Sequence, residues 1–182
     1  MSRITLVRHG QAEAGWAEDA DPALSELGMV QAEACAAVLS AGEPIPVITS
    51  PLLRARQTAA PLAEAWSTMV RIDPDFGEIP SPSSDLAQRA AWLMGLMGAT
   101  WDDVDKATRV WRLDVLTTLM SLDTDTIVFT HYMAINVAVG EATMDRRVFC
   151  CAPDYCSRTL FEVGAGGLHL VSLGEQADTI IR

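Results

Sequence analysis

Two arginines and two histidines follow apolar runs that are typical of buried strands. Arg8 and His9 come directly after ITLV, and Arg54 lies shortly after PVIT. His131 comes directly after DTIVFT. In open α/β sheets, ligands bind beyond the carboxyl ends of the strands. We therefore expect these four side chains to surround one ligand.

Two guanidinium groups and two imidazoles are suited to phosphoryl transfer. Arginine binds phosphate oxygens through paired, charge-assisted hydrogen bonds. A neutral imidazole can attack phosphorus and form a phosphohistidine, and a second imidazole can stabilise charge on the surrounding oxygens. Side chains then supply the positive charge that Mg²⁺ supplies elsewhere. The set predicts a reaction that needs no metal and no cofactor.

The same reaction needs a carboxylic acid that protonates the leaving oxygen. Four acidic residues follow the third predicted strand, namely Asp73, Asp75, Glu78 and Asp85. Because loop geometry cannot be read from a sequence, the residue types alone leave all four open.

Predicted strands and helices alternate along the chain. The strands are predicted at 4–7, 46–49, 68–72 and 125–130. The helices are predicted at 24–39, 50–66 and 133–140, and near 84–97 and 103–121. Two β segments flank GAGG at 164–167 and predict a terminal hairpin. This order predicts one domain, 1–182, an α/β fold with a three-layer α/β/α sandwich around a mostly parallel, mixed sheet that ends in an antiparallel hairpin.

Two helix starts carry local signals. Ser25 is predicted to cap the first helix. Ser50 is predicted to cap the second helix, with Pro51 at its first position. Apolar residues recur on one side of the first helix, which predicts that this side is buried. They are Leu27, Val30, Ala34 and Ala37.

Composition excludes several functions. The chain has 182 residues, of which 49% are hydrophobic, so it can bury a sizeable core. Its formal net charge of −11 argues against a nucleic-acid partner, because such binding needs a basic surface. The apolar runs are too short to cross a bilayer, and the N-terminus does not resemble a signal peptide. We therefore expect a cytoplasmic protein without a membrane partner. Reduced thiols, rather than a zinc site, are expected at Cys35, Cys150, Cys151 and Cys156.

Four segments together resemble the histidine phosphatase superfamily, the phosphoglycerate mutase-like proteins. LVRHGQAE resembles the RHG signature of this family, and SPLLRARQTA resembles its second signature. FGEIPSP stands where the family has its proton-donor carboxylate, and FTHYMAIN resembles its late strand and histidine. The resemblance runs in the family's order from about residue 4 to about residue 140.

The resemblance implies a role for each matching residue. His9 would be the nucleophile, and Arg8 and Arg54 would hold the phosphoryl group. His131 would be the second imidazole, and Glu78 the general acid and base. Substrate contacts are also expected at Gly10, Gln11 and Tyr132, with Gly10 leaving room for the phosphate. Many relatives have an acidic residue and then Thr or Ser after RHG, where this chain has Gln11 and Ala12, so one hydroxyl contact is expected to be missing.

The resemblance implies a phosphatase that hydrolyses a phosphorylated small molecule or a phosphoprotein through a phosphohistidine. The alternatives are a phosphoglycerate mutase-type transfer and a phospholigand-binding module with low turnover. True mutases have extra basic residues, whereas the basic residues between Glu78 and His131 lie on helical patterns: Arg89, Lys106, Arg109 and Arg112. Three further residues are placed outside the reaction, with Arg56 and His169 in structural or surface roles and Trp16 at the rim of the site.

Overall fold

The computed structural model describes residues 1–15 and 18–177. The expectation that Trp16 rims the site lies outside the described residues. No helix in the described ranges combines the length and the apolar character needed to cross a membrane.

Every predicted strand and helix is present, with bounds that differ by a few residues. Over the described ranges, the strands are β1 (Ser2–Arg8), β2 (Val47–Thr49), β3 (Val70–Ile72), β4 (Thr126–Thr130), β5 (Arg158–Gly164) and β6 (Gly167–Ser172). The helices are α1 (Glu26–Leu39), α2 (Leu53–Trp66), α3 (Leu86–Gly95), α4 (Lys106–Met120) and α5 (Tyr132–Thr143). A short 3₁₀ helix, Pro74–Phe76, follows β3.

The six strands form one mixed sheet in the order β3-β2-β4-β1-β5-β6. The first four of these strands are parallel, and β1 pairs with β4 from Ile4 opposite Thr126 to Arg8 opposite Thr130. β5 runs antiparallel to β1, and β6 runs antiparallel to β5. The predicted α/β class and the terminal hairpin are therefore confirmed, and the parallel register brings the ends of β1, β2 and β4 to the same edge.

Apolar side chains cover both faces of the sheet. One face buries Leu6 and Val128 against α4 and α5, together with Phe161 of β5. The other face buries Val7 and Phe129 against α1 and α2. Alternate residues of each strand thus point into different cores, as the period of a β-strand requires. The result is the predicted three-layer arrangement.

The buried side of α1 is not the predicted one. Leu27 and Val30 are 53% and 60% exposed, whereas the helix buries Gly28, Ala32 and Ala36. Apolar residues occur around most of this helix, so periodicity alone does not identify its inner side. Small residues face inward because the loop after β1 lies directly against the helix.

That close approach is set by two glycines. A Cβ atom on Gly28 would lie 2.0 Å from the backbone oxygen of Gln11, and a Cβ atom on Gly10 would lie 2.7 Å from the backbone oxygen of Gly28. Backbone atoms cannot move aside as a flexible side chain would. The loop that follows β1 is therefore held at a fixed, short distance from helix α1.

We expect Gly28→Ala to lower the free energy of unfolding by about 2–3 kcal/mol, because the added methyl overpacks a backbone contact. Gly95→Ala is the matched control, because an added Cβ atom there meets nothing within 4 Å. It should leave stability unchanged or raise it by up to about 1 kcal/mol. Urea titrations of both variants measure the difference, and equal stabilities would contradict the close approach.

Candidate active site

His9 is held as a neutral imidazole whose Nε2 can act as a nucleophile. Its Nδ1 lies 2.7 Å from the carbonyl oxygen of Gly10, which can only accept a hydrogen bond, so Nδ1 carries the proton. Nε2 lies 3.2 Å from Arg54 Nε, which can only donate. In the tautomer that these two partners select, Nε2 is unprotonated and its lone pair accepts the hydrogen bond from Arg54.

Electrostatics favour the same state of His9. The side chain is buried at the end of β1, and burial lowers the pKa of His9 well below its usual value. The positive charges of Arg54 and Arg8 lower this pKa further. The imidazole consequently remains unprotonated at neutral pH, as nucleophilic attack requires.

The two arginines approach His9 from different elements. Arg8 ends β1, and its Nη1 donates to the carbonyl oxygen of Pro153 at 2.9 Å. Arg54 lies in the first turn of α2 and is 4% exposed. Its Nη1 lies 3.6 Å from a carboxylate oxygen of Asp21, which is a loose ion pair without a hydrogen bond. Both guanidinium groups thus keep donors uncommitted.

Ser50 has a different role from the predicted one. Helix α2 begins at Leu53, and its N-cap residue Leu52 makes no side-chain capping bond. The Ser50 hydroxyl instead lies 2.6 Å from Nε2 of His131, which is 0% exposed. The prediction that Ser50 caps α2 is wrong because this hydroxyl bonds to a histidine at the end of the neighbouring strand. It still accepts from the backbone N–H of Leu52.

The Ser50 contact also determines the tautomer of His131. Over the described residues, the Ser50 O–H has no acceptor other than Nε2 of His131, so it donates there and the proton of the imidazole lies on Nδ1. Burial lowers the pKa of His131 well below its usual value, and the charge of Arg54 lowers it further. The ring centroids of His131 and His9 are 5.1 Å apart. His131 thus presents a neutral Nδ1–H donor close to His9.

Glu78 is the carboxylate that the loop after β3 brings to the site. Its Oε1 accepts from the backbone N–H groups of Ile79 at 2.9 Å and of Met133, in the first turn of α5, at 3.2 Å. Burial raises the pKa of the Glu78 carboxyl above its usual value, although those bonds and the charges of Arg54 and Arg8 act in the opposite direction. A carboxyl with a raised pKa is suited to donate a proton.

The three rival carboxylates bond elsewhere. Asp73 accepts from the backbone N–H of Asp75 and pairs with Arg71. Asp75 accepts from the hydroxyl of Thr118 at 2.5 Å. Asp85 caps α3. Each rival thus has a local structural partner, and Glu78 is the one of the four that lines the cavity beside His9.

This cavity has about 580 Å³ of empty space counted to its open mouth. Five of the predicted residues line it, namely Arg8, His9, Arg54, Glu78 and Tyr132. Gly10, Gln11 and His131 are not among the described residues that line it, and His131 is fully buried behind His9. The carbonyl group of Gly10 orients His9, and the absence of a side chain on Gly10 leaves room for the backbone of Gly28. The side chain of Gln11 accepts a hydrogen bond from the hydroxyl of Ser25. The expected substrate contacts of Gly10 and Gln11 are therefore not supported by their positions.

The lining residues that the sequence analysis missed include Tyr155 and Arg89. Tyr155 lies in an irregular segment that carries no periodic signal, and Arg89 lies on α3, where it was placed outside the site. Lys106, Arg109 and Arg112 are not among the described lining residues. Arg56 and His169 are exposed, as expected. The described part of the chain contains no group of three His, Cys, Asp or Glu side chains arranged to hold a metal ion.

Three buried nitrogens at the site have no hydrogen-bond partner within the described ranges. They are Arg8 Nε, Arg54 Nη1 and His131 Nδ1. Each is a donor in the states assigned above, and leaving a buried donor unpaired costs about 1–3 kcal/mol. Arg8 and Arg54 also line the cavity, where the oxygens of an anion would accept from their guanidinium groups. The arrangement therefore fits a tetrahedral oxyanion such as a phosphoryl group.

Sequence comparison gives the same family that the motifs suggested. A model of the histidine phosphatase superfamily (branch 1) matches residues 4–176. Two curated relatives from two strains of Mycobacterium tuberculosis, both named glucosyl-3-phosphoglycerate phosphatase, are 39% identical over 117 residues. The match covers 62% of this chain and 48% of each relative, so the chain spans about half the length of the curated relatives it matches.

Solved structures resemble the whole fold. Phosphoserine phosphatase from Entamoeba histolytica, in complex with 3-phosphoglyceric acid, has a TM-score of 0.77 and 19% identity, covering 97% of this chain and 98% of that one. A mycobacterial glucosyl-3-phosphoglycerate phosphatase in complex with VO3 has a TM-score of 0.73 and 23% identity, and the match covers 97% of this chain and 100% of that one. At these identities the likeness establishes the fold, and it confirms the predicted fold class.

We expect inorganic phosphate to bind at the guanidinium groups of Arg8 and Arg54 in the cavity and to raise the melting temperature. Arg54→Gln should weaken phosphate binding roughly tenfold to a hundredfold, because it removes charge-assisted hydrogen bonds. Arg56→Gln is the matched control, since Arg56 is exposed on the same helix. Calorimetric titration measures both affinities. Similar losses of phosphate affinity in the two variants would show that phosphate binding depends on the overall charge of the protein rather than on this site.

Proposed function

Because the chain belongs to branch 1 of the histidine phosphatase superfamily, we propose that it hydrolyses a phosphomonoester through a phosphohistidine formed on His9, without a metal ion. The observation that carries this proposal is the neutral His9, with an unprotonated Nε2, beside the cavity-lining guanidinium donors of Arg8 and Arg54, which are suited to a phosphoryl group. An anion would satisfy those donors and bring its phosphorus close to the nucleophile.

The first step transfers the phosphoryl group to His9. Arg54 Nε donates to His9 Nε2 in the empty site, so it must turn to an oxygen of the substrate before attack. The lone pair of Nε2 then forms a bond to phosphorus as the ester P–O bond breaks. Protonated Glu78 donates its proton to the leaving oxygen, and the Nδ1–H donor of His131 stabilises the transferring oxygens.

The second step returns the enzyme to its starting state. Ionised Glu78 takes a proton from a water molecule, whose oxygen attacks phosphorus while the P–N bond breaks. The electron pair of that bond returns to His9 Nε2, and inorganic phosphate leaves. The hydrogen bond from Nδ1 to the Gly10 carbonyl holds the ring orientation throughout both steps.

Several observations favour hydrolysis over the alternatives. The curated relatives are named phosphatases. Glu78 lies in the cavity beside His9, where it provides the acid and base that a pure binding module does not need. Of the four basic residues weighed for a mutase, Arg89 alone is among the described residues that line the cavity. The proposed outcome is therefore release of phosphate rather than its return to the substrate.

The proposed substrate is a small phosphorylated molecule. The relatives named above are glucosyl-3-phosphoglycerate phosphatase and phosphoserine phosphatase, whose names specify small phosphorylated acids. Arg89 adds a positive charge to the cavity wall, which favours a substrate with a second anionic group.

We expect His9→Ala to abolish hydrolysis of nitrophenyl phosphate, because no other group in the cavity can form the phosphohistidine. Wild-type activity should persist in the presence of a chelator. His169→Ala is the matched control, since His169 is an exposed histidine on β6. Steady-state assays measure all three proteins, with circular dichroism to check folding. Turnover by His9→Ala near the wild-type rate would rule out the proposed nucleophile.

We expect Glu78→Gln to lower kcat/KM much more for an alkyl phosphate than for nitrophenyl phosphate, because nitrophenolate leaves without a proton. Asp85→Asn is the control, since asparagine also caps a helix and Asp85 caps α3. Comparable losses with both substrates would assign the acid to another group. The measurement is kcat/KM of the wild type and of each variant for substrates that differ in the leaving group.

The pH profile provides a further test of the same assignment. The raised pKa of Glu78 and the lowered pKa of His9 together predict activity on the acidic side of neutrality. Activity should fall as rising pH ionises Glu78, and it should fall at low pH as His9 becomes protonated. In Glu78→Gln the alkaline limb should disappear. The ratio of variant to wild-type rates cancels the ionisation of the substrate, and an unchanged alkaline limb would contradict the role of Glu78.

A further inference from the structure

The Arg8 guanidinium lies between two tyrosine rings. Its central carbon lies 4.1 Å from the ring centroid of Tyr155 and 5.1 Å from that of Tyr132. Both distances are within the range of a cation–π interaction. The bond from Arg8 Nη1 to the carbonyl oxygen of Pro153 fixes one edge of the same group. Arg8 is thus held by contacts on its faces and on one edge.

Tyr155 belongs to a segment that is itself anchored. Residues 150–157 connect the region after α5 to β5, and the buried side chain of Asn136 accepts from the backbone N–H groups of Cys150 at 2.8 Å and of Cys151 at 2.9 Å. At the other end, the N–H of Cys156 donates to the carbonyl oxygen of Arg8 at 3.0 Å. The segment is therefore tied both to α5 and to the residue that its tyrosine contacts.

The residue after Tyr155 has an unusual backbone conformation. Cys156 has a φ of 56°, a left-handed conformation that residues other than glycine seldom adopt. Such a conformation persists where the surrounding bonds determine it, and the bond from Cys156 to Arg8 is one of these. The backbone turn at Cys156 thus directly follows Tyr155 in the chain, and it bonds to Arg8, the last residue of β1.

These contacts leave Arg8 with one orientation. An arginine side chain has many rotamers, and ordering it on ligand binding costs free energy. The contacts with Pro153, Tyr132 and Tyr155 order Arg8 before a ligand arrives, while its Nε has no partner in the described part of the chain. The Arg8 guanidinium, which lines the cavity together with His9, is therefore ordered before a phosphoryl group arrives.

We propose that Tyr155 is a positioning residue, which acts through the face of its ring to hold Arg8 in the orientation that receives the phosphoryl group. This inference rests on the proposed function, in which Arg8 binds that group. The ring centroids of Tyr155 and His9 are 6.3 Å apart, so Tyr155 lies beside the nucleophile as well. The alternative is that Tyr155 binds the leaving group, and the experiment must distinguish these two roles.

Three variants separate the two roles. Tyr155→Leu removes the aromatic face but keeps an apolar side chain. Tyr155→Phe keeps the face and removes the hydroxyl. Phe149→Leu is the matched control, because Phe149 packs 6.0 Å from the ring of Tyr132 and makes no cation–π contact with Arg8 among the described residues. Thermal unfolding of each variant establishes that it folds.

The first measurement is the affinity for inorganic phosphate and for vanadate, together with kcat/KM for two substrates that differ in the leaving group. We expect Tyr155→Leu to lower all four quantities by a similar factor, roughly threefold to thirtyfold, the loss of one cation–π contact. Tyr155→Phe should recover most of this loss, and Phe149→Leu should show none. A loss confined to one substrate, with phosphate affinity intact, would overturn the proposal in favour of a leaving-group contact.

The second measurement does not depend on activity. The Nε–H proton of Arg8, assigned by its absence from Arg8→Lys, should resonate upfield in wild type and in Tyr155→Phe because of the aromatic rings. In Tyr155→Leu it should move downfield and broaden as the side chain gains freedom. If wild type neither hydrolyses nitrophenyl phosphate nor binds phosphate, the proposed function fails, and this resonance still reports whether Tyr155 orders Arg8. An unchanged resonance in Tyr155→Leu would overturn the positioning role.

Discussion

Two buried guanidinium groups lie beside two buried imidazoles, and the cost of burying the two arginine charges is the constraint on which the site depends. Removing an arginine charge from water is costly unless an opposite charge or a hydrogen-bond acceptor compensates. Asp21, Glu78, the Pro153 carbonyl and two tyrosine rings each compensate partly. Burial lowers the pKa of His9 and of His131, and the same positive charges lower both pKa values further, so both imidazoles remain neutral. The site is thus built for an incoming anion and for a nucleophile that never has to lose a proton first.

Much of this arrangement follows from the sequence, because it depends on where strands end. Arg8, His9 and His131 follow β1 and β4, which are adjacent and parallel, so their convergence follows from the order of the elements. Arg54 begins the helix after β2, which pairs with β4 on its other side. No side-chain detail was needed to predict these positions. Glu78 required more, since its place depends on a loop and on bonds to the first turn of α5.

The failures of prediction share a physical cause. Ser50 has the sequence signal of a cap, but a hydroxyl bonds to whichever group is nearest, and that group is a histidine 81 residues further along the chain. The inner side of α1 was misassigned because the approach of the Gln11 backbone to Gly28 outweighs the spacing of larger apolar residues. Tyr155 lies in an irregular segment that is anchored by bonds to Asn136 of α5 and to Arg8 of β1. Each of these features depends on a contact between residues distant in sequence.

The hydrogen bond from Arg54 to His9 connects binding to reactivity. This bond occupies the lone pair of Nε2, the atom that attacks phosphorus in the proposed reaction. A ligand without oxygens for Arg54 leaves that bond in place, and the nucleophile stays masked. A phosphoryl group attracts the guanidinium more strongly than a neutral imidazole does, because its oxygens carry charge. In the proposed reaction, phosphate recognition and exposure of the nucleophile are therefore the same movement, and a ligand without an anionic group would meet an imidazole that is still bonded to Arg54.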